Sequence, residues 1–176
     1  MLVAGYSRCN DVCAQAPAPT SLIDQIYKDD QISRMPPGSK EPARIYKTDE
    51  ERLAIARKLL EQGKLETGSD YYEAGIIFQH SHQPDDYLIA HTLAVVAASR
   101  GETKGSWLAA ATLDRYLMAI GKPQIYGTQF MTPPAQPVTQ DPYNRTLIPD
   151  PLRQMLGVPT LVDQEKRRQQ IERDVK

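Results

Sequence analysis

Cysteine is nearly missing from this chain, and the two it has, Cys9 and Cys13, lie together near its N-terminal end. No disulfide framework can hold the rest of the molecule, and two ligands in a C-x₃-C spacing cannot close a zinc site alone. An excess of charge of either sign is missing too: 21 Lys and Arg face 22 Asp and Glu, a formal net charge of −1. Nucleic-acid binding usually requires a basic face, and the aromatics here do not alternate with Lys and Arg, so nucleic acid is not an expected partner. No apolar run reaches the roughly 18 uncharged residues of a membrane-spanning helix. Also absent are a Gly-x-Ser-x-Gly turn, a phosphate-binding Gly-rich loop and a dinucleotide-binding glycine pattern. Serine nucleophile chemistry and nucleotide use therefore lack support, and no cofactor is expected.

What is present is enough apolar content, 40% of 176 residues, for one domain around one core. The pattern is helical throughout. Ser21 to Ile32 forms a short helix, and the Pro-rich residues 34–39 after it suit a lid or an arm. Thr48 and Glu51 make a capping box that opens a helix running to Gln62 and Gly63, with Leu53, Ala56, Leu59 and Leu60 as its inner stripe. Ser69 is expected to cap a second helix ending at His80, and Asp85 a third ending at Gly101. Gly105 to Gly121, GSWLAAATLDRYLMAIG, is a buried helix closed by a glycine. The short loops between these helices predict antiparallel neighbours, and the spacing of the pairs is that of a tetratricopeptide-like repeat. The expected fold is thus all-α: a compact bundle of about four antiparallel helices with Pro-rich extended arms and a C-terminal helix. Residues 48–129 would be the helical core. Residues 17–47 would be an N-terminal arm, and 130–176 a Pro-rich wrap followed by C-terminal helices. Asp150 and Pro151 signal a short helix. The last helix, from Thr160, is charged on nearly all sides and reads as a solvated tail.

Residues 1–16 end in Ala14-Gln15-Ala16, the small-x-small pattern of a secretory cleavage site, although Ser7 to Asp11 interrupt the apolar stretch that a signal requires. The segment reads as a leader remnant or a disordered tail. Periplasmic or secreted placement is favoured over cytoplasmic.

The chemistry concentrates around Asp114 and Arg115. Both lie within the most apolar helix, where a charge that has lost its buried partner costs roughly 3–5 kcal/mol, so each needs compensation. The loop after Gly121, Lys122 to Gln129, is rich in amides and hydroxyls, and the expectation is that it folds back and is pinned by Asp114 and Arg115. His80, His82 and His91 fall close together in sequence and resemble a metal-ligand set, but His91 lies on an apolar face where a hydrogen-bonded core histidine is the simpler reading. No metal is expected.

The order Gln79-His80, an Ala-rich helix, Asp114-Arg115, then Gly121-Lys122-Pro123-Gln124 and Tyr126-Gly127-Thr128-Gln129 resembles a family of functionally uncharacterised bacterial proteins. The likeness covers roughly residues 69–129, with a weaker echo at Leu156-Gly157-Val158-Pro159. It implies a mostly helical fold and a common site of unknown purpose at His80, Asp114, Arg115, Gln124, Tyr126, Gly127, Thr128 and Gln129. His82 and His91 lie outside the pattern.

These observations support a helical binding or structural module first, with a polar pocket formed by His80, Asp114, Arg115, Gln124, Tyr126, Thr128 and Gln129 and a peptide or protein as its partner. The second reading is a hydrolase-like enzyme, with His80 as general base oriented by Asp114 and Arg115 holding an anionic substrate group. A metalloenzyme ranks third.

Overall fold

The computed structural model describes residues 21–36, 39, 45 and 48–175. The leader segment with Cys9 and Cys13, and residues 37 and 38 of the expected lid, lie outside the described residues. Among the described residues seven helices follow in order: α1 (Leu22–Ser33), α2 (Asp49–Glu61), α3 (Gly68–Phe78), α4 (Pro84–Ser99), α5 (Lys104–Ala119), α6 (Asp150–Met155) and α7 (Leu161–Asp174). The described residues contain no sheet, only two isolated bridges, so the fold is all-α.

Local sequence explains most helix ends. The Thr48 side chain accepts from the Glu51 N–H while Glu51 reaches back to the Thr48 N–H, satisfying donors that a helix N-terminus leaves open. Ser21 caps α1 through Asp24. Two starts differ from the expectation. The cap of α3 is Thr67, which forms a reciprocal pair with Asp70, so Ser69 lies inside the helix, where its hydroxyl turns to Glu73. The first residue of α4 is Pro84 rather than a cap at Asp85, because proline's fixed φ and missing N–H suit a first turn.

Small residues set the close packing of α3, α4 and α5. A Cβ at Gly105 would stand 2.6 Å from the Ala94 carbonyl oxygen and 2.7 Å from the Ala98 nitrogen, so α5 crosses α4 almost backbone to backbone. His91 meets Ala109 further along, which makes these two helices antiparallel. Gly75 lies against Ala90 and Leu108, and Gly68 against Ala97 and Arg100, so α3 and α4 are antiparallel as well. The apolar core runs through Ala56, Ala74, Ile77, Phe78 and Leu93.

The helix expected to belong to an arm is part of that core. Ile23 and Ile26 of α1 are fully buried within it, and α1 packs on both α2 and α3. The bundle therefore has five helices. At its other edge, Arg57 of α2 lies over the Phe78 ring and bonds Asp86 at the start of α4.

After α5 the chain reverses twice. Met131 and Thr139 exchange backbone hydrogen bonds of 2.8 and 3.0 Å, so the Pro-rich stretch closes into a hairpin-like return rather than a long extended wrap. The final helix is docked, contrary to the expectation of a solvated tail. Gln164 is buried, Arg168 donates to the Val138 carbonyl and Glu172 accepts from the Val138 N–H. Its attachment is polar, which an apolar-stripe criterion does not detect.

Candidate functional site

The carboxylate of Asp114, on the fourth turn of α5, is fully buried. Burial alone would be costly for an anion, and four donors offset it. The backbone N–H groups of Ile125 and Tyr126 approach one oxygen at 2.8 and 3.0 Å. The N–H and hydroxyl of Thr128 approach the other at 3.0 and 2.8 Å. The loop thus wraps a single carboxylate, as expected of Asp114. The expectation that Arg115 shares the pinning is not met, since Arg115 gives the loop no hydrogen bond.

Gln124 is fully buried at the neck of the same loop. Its Oε1 accepts from the Gln129 N–H at 3.0 Å, and its Nε2 donates to the carbonyls of Gln129 and Gln140. Gly127 has a φ of 74°, and a Cβ there would collide with Gln164 and lie 2.5 Å from the Tyr143 ring, so only glycine fits.

The outer side of the loop is held by residues that the sequence did not single out. The Tyr126 carbonyl accepts from Arg153 at 2.6 Å, Gln164 at 2.8 Å and the Tyr143 hydroxyl at 3.1 Å. Gln140 donates to the Gly127 carbonyl at 2.5 Å. Arg153 is fully buried on α6, beneath the Tyr143 ring. Tyr126 itself is half-buried. Burial pushes its phenol upward, with the Asp114 charge acting in the same direction and Arg153 opposing.

Arg115 points the other way, into a cleft of about 300 Å³ lined by Tyr87, Arg115, Met118, Ala119 and Gln129. Its Nε is buried without a hydrogen-bond partner, and no ion pair involves Arg115 among the described residues. Burial lowers its pKa. The Tyr87 phenol opposes that shift, and the charge of Arg34 adds to it. Gln129 forms the edge of the cleft. Its Nε2 is committed to Thr128 Oγ1 at 2.8 Å and the Ala111 carbonyl at 3.4 Å. That commitment fixes which end of the amide is the carbonyl, and its Oε1 has no donor among the described residues.

His80 stands in a different cleft, lined by Asp49, Glu50, Leu53, Ser81, His82, Gln83 and Asp86 as well as His80 itself, and sharing no lining residue with that of Arg115. Its Nδ1 lies 3.0 Å from an oxygen of Asp30, a residue of α1 that is 1% exposed. Asp30, rather than Asp114, therefore orients His80; both oxygens of Asp114 are occupied by the loop. Arg34 donates to Asp30 at 2.7 Å and to Asp49 at 3.1 Å, and Arg52 donates to Asp49 at 2.5 Å. Burial pushes the Asp49 carboxyl up, but hydrogen bonds from Arg52 and Arg34 and their charges outweigh it and hold it low. Ligand atoms of Asp30, Asp49 and His80 lie within 4.8 Å of one another, close enough to hold a metal ion. Two guanidiniums already neutralise the two carboxylates, so the set is balanced without a divalent ion, which would have to displace an arginine. His91 bonds the Ala109 carbonyl at 2.9 Å, as a packed histidine does, and His82 is exposed.

No protein-family model, no curated protein and no solved structure matches this chain. No helix among the described residues is long and apolar enough to cross a membrane.

Proposed function

We propose that this chain is a helical binding module whose ligand sets an anionic group against Arg115. The observation that carries this reading is the uncompensated guanidinium. A half-buried cation with no counter-charge is destabilising, and a fold tends to retain such a group where a ligand completes it. Asp114 beside it shows what full compensation looks like in the same helix, with four donors on two oxygens. The loop from Gln124 to Gln129 acts here as scaffold. Asp114, Gln124 and Thr128 fix its shape, and it presents Gln129 to the cleft.

A screen of small carboxylates and phosphates by thermal unfolding tests this reading. At least one anion should raise the melting temperature of the wild type and leave Arg115→Met unmoved. If no anion distinguishes the two proteins, the reading fails.

One observation favours the hydrolase-like reading as a second: the Asp30–His80 pair. A carboxylate on Nδ1 holds the imidazole in the tautomer whose Nε2 can accept a proton, the orientation that a general base needs. In that reading the Asp49- and Asp86-lined cleft would hold the substrate, and Arg115 would bind only a remote anionic part of it.

A further inference from the structure

Resting on the anion-binding reading of Arg115, we infer that the cleft takes an N-acylated α-amino carboxylate, the chemistry of a peptide's free C-terminal end. Three polar groups in the cleft have open hydrogen-bonding capacity, and they are of different kinds. Arg115 offers the charged donors of its two terminal nitrogens, which have no partner among the described residues, while its Nε is buried behind them. The Tyr87 hydroxyl, which makes no hydrogen bond among the described residues, offers a donor in the cleft that it lines together with Arg115. Gln129 offers an acceptor, because its Nε2 is turned inward to Ala111 and Thr128 and its Oε1 is left over. A ligand that satisfies the set carries an anion and, a bond or two away, an N–H.

A phosphate satisfies only part of this. As a monoester dianion it has no donor for Gln129 Oε1, and inorganic phosphate, which keeps a P–OH donor near neutral pH, has no apolar group to set against Met118 and Ala119. A simple carboxylate such as acetate leaves the same acceptor unmet. A terminal α-carboxylate has the anion on one side of its Cα and an acylated N–H on the other. The carboxylate would lie on Arg115 and the Tyr87 hydroxyl, with the N–H on Gln129 Oε1. The remaining walls, Met118 and Ala119, are apolar, and methionine adapts to varied shapes, so the residue that fits carries an apolar side chain. A volume of about 300 Å³ admits one residue and part of the next, rather than an extended peptide.

The test is calorimetric titration of the full chain with four probes: acetyl-Ala-Ala-Leu as the free acid, the same peptide as its C-terminal amide, acetyl-leucine, and inorganic phosphate. The free acid should bind, the amide should bind roughly 10- to 100-fold more weakly, and Arg115→Met should abolish binding. Tyr87→Phe, which keeps the ring and removes the donor, should weaken the acid by about tenfold or less and leave the amide unchanged. Arg115→Gln serves as a second variant should Arg115→Met misfold, with circular dichroism reporting the fold of each. Tighter binding of the tripeptide than of acetyl-leucine would identify chain ends as the source of the ligand; equal binding would identify small acylamino acids, and either supports the assignment. Arg115-dependent binding of phosphate, with acid and amide peptides indistinguishable, would overturn it while leaving the anion reading intact. Failure of every probe to bind the wild type would overturn both.

Discussion

Asp114 and Arg115 are consecutive in the chain, yet no hydrogen bond or ion pair joins them. Helical geometry separates their directions by about 100° per residue, so neighbours cannot share a face. Asp114 turns toward the returning loop and is saturated by it. Arg115 turns toward α4 and the Tyr87 cleft and finds no counter-charge. The same helix therefore carries an anchor and an open group side by side, and substitutions at the two positions should behave oppositely.

Asp114→Asn should lower stability by about 3 kcal/mol. The amide keeps one accepting oxygen, but its new N–H is turned against donors, from Ile125 and Tyr126 or from Thr128. Urea unfolding with an unchanged slope should show it. A loss under about 1 kcal/mol would mean that the loop holds itself.

Glu73 should make stability depend on pH. It is 8% exposed, its Oε2 lacks a hydrogen bond, and burial pushes its pKa to about 6, with Asp24 and Asp70 adding to the shift and the Ser69 hydrogen bond and Lys28 opposing it. A carboxyl whose folded pKa is raised favours the fold while protonated, and that favour is lost as pH rises from the unfolded value of 4.5 through 6. The loss amounts to about 2 kcal/mol across the window. Glu73→Gln should flatten the stability profile between those values. A mutant profile parallel to that of the wild type would assign the pH dependence elsewhere.

Gly105→Ala should pry α4 from α5, because the added methyl meets backbone atoms of Ala94 and Ala98 that cannot rotate away. A loss of about 3 kcal/mol is expected from thermal or chemical unfolding. A stabilised variant, as helix propensity alone predicts, would show that the helices separate freely.

The parts readable in the sequence were those whose causes are local. The Thr48–Glu51 box depends on residues three apart, and the isolation of Asp114 in an apolar run announces a buried anchor before any partner is known. The same isolation of Arg115 suggested the same role, and here local pattern misled, because nothing in it records whether a compensating group arrives. The clamp on the Tyr126 carbonyl was unreadable for a related reason: Tyr143, Arg153 and Gln164 reach it only after two chain reversals. The Asp30–His80 pair spans 50 positions and crosses from α1 to the end of α3, with no periodicity linking them. In sequence α1 looks like part of an arm, a short helix beside a Pro-rich stretch, although Ile23 and Ile26 a turn apart are what seat it in the core.

The most direct test of the claim that Arg115 is held open for a ligand is the unfolding free energy of Arg115→Met in the absence of any added anion. A methionine fills a similar volume without a charge to desolvate, so the variant should be as stable as the wild type or more stable by up to about 1 kcal/mol. A loss of about 3–5 kcal/mol, the signature of breaking a buried ion pair, would show that Arg115 is structural and contradict the account.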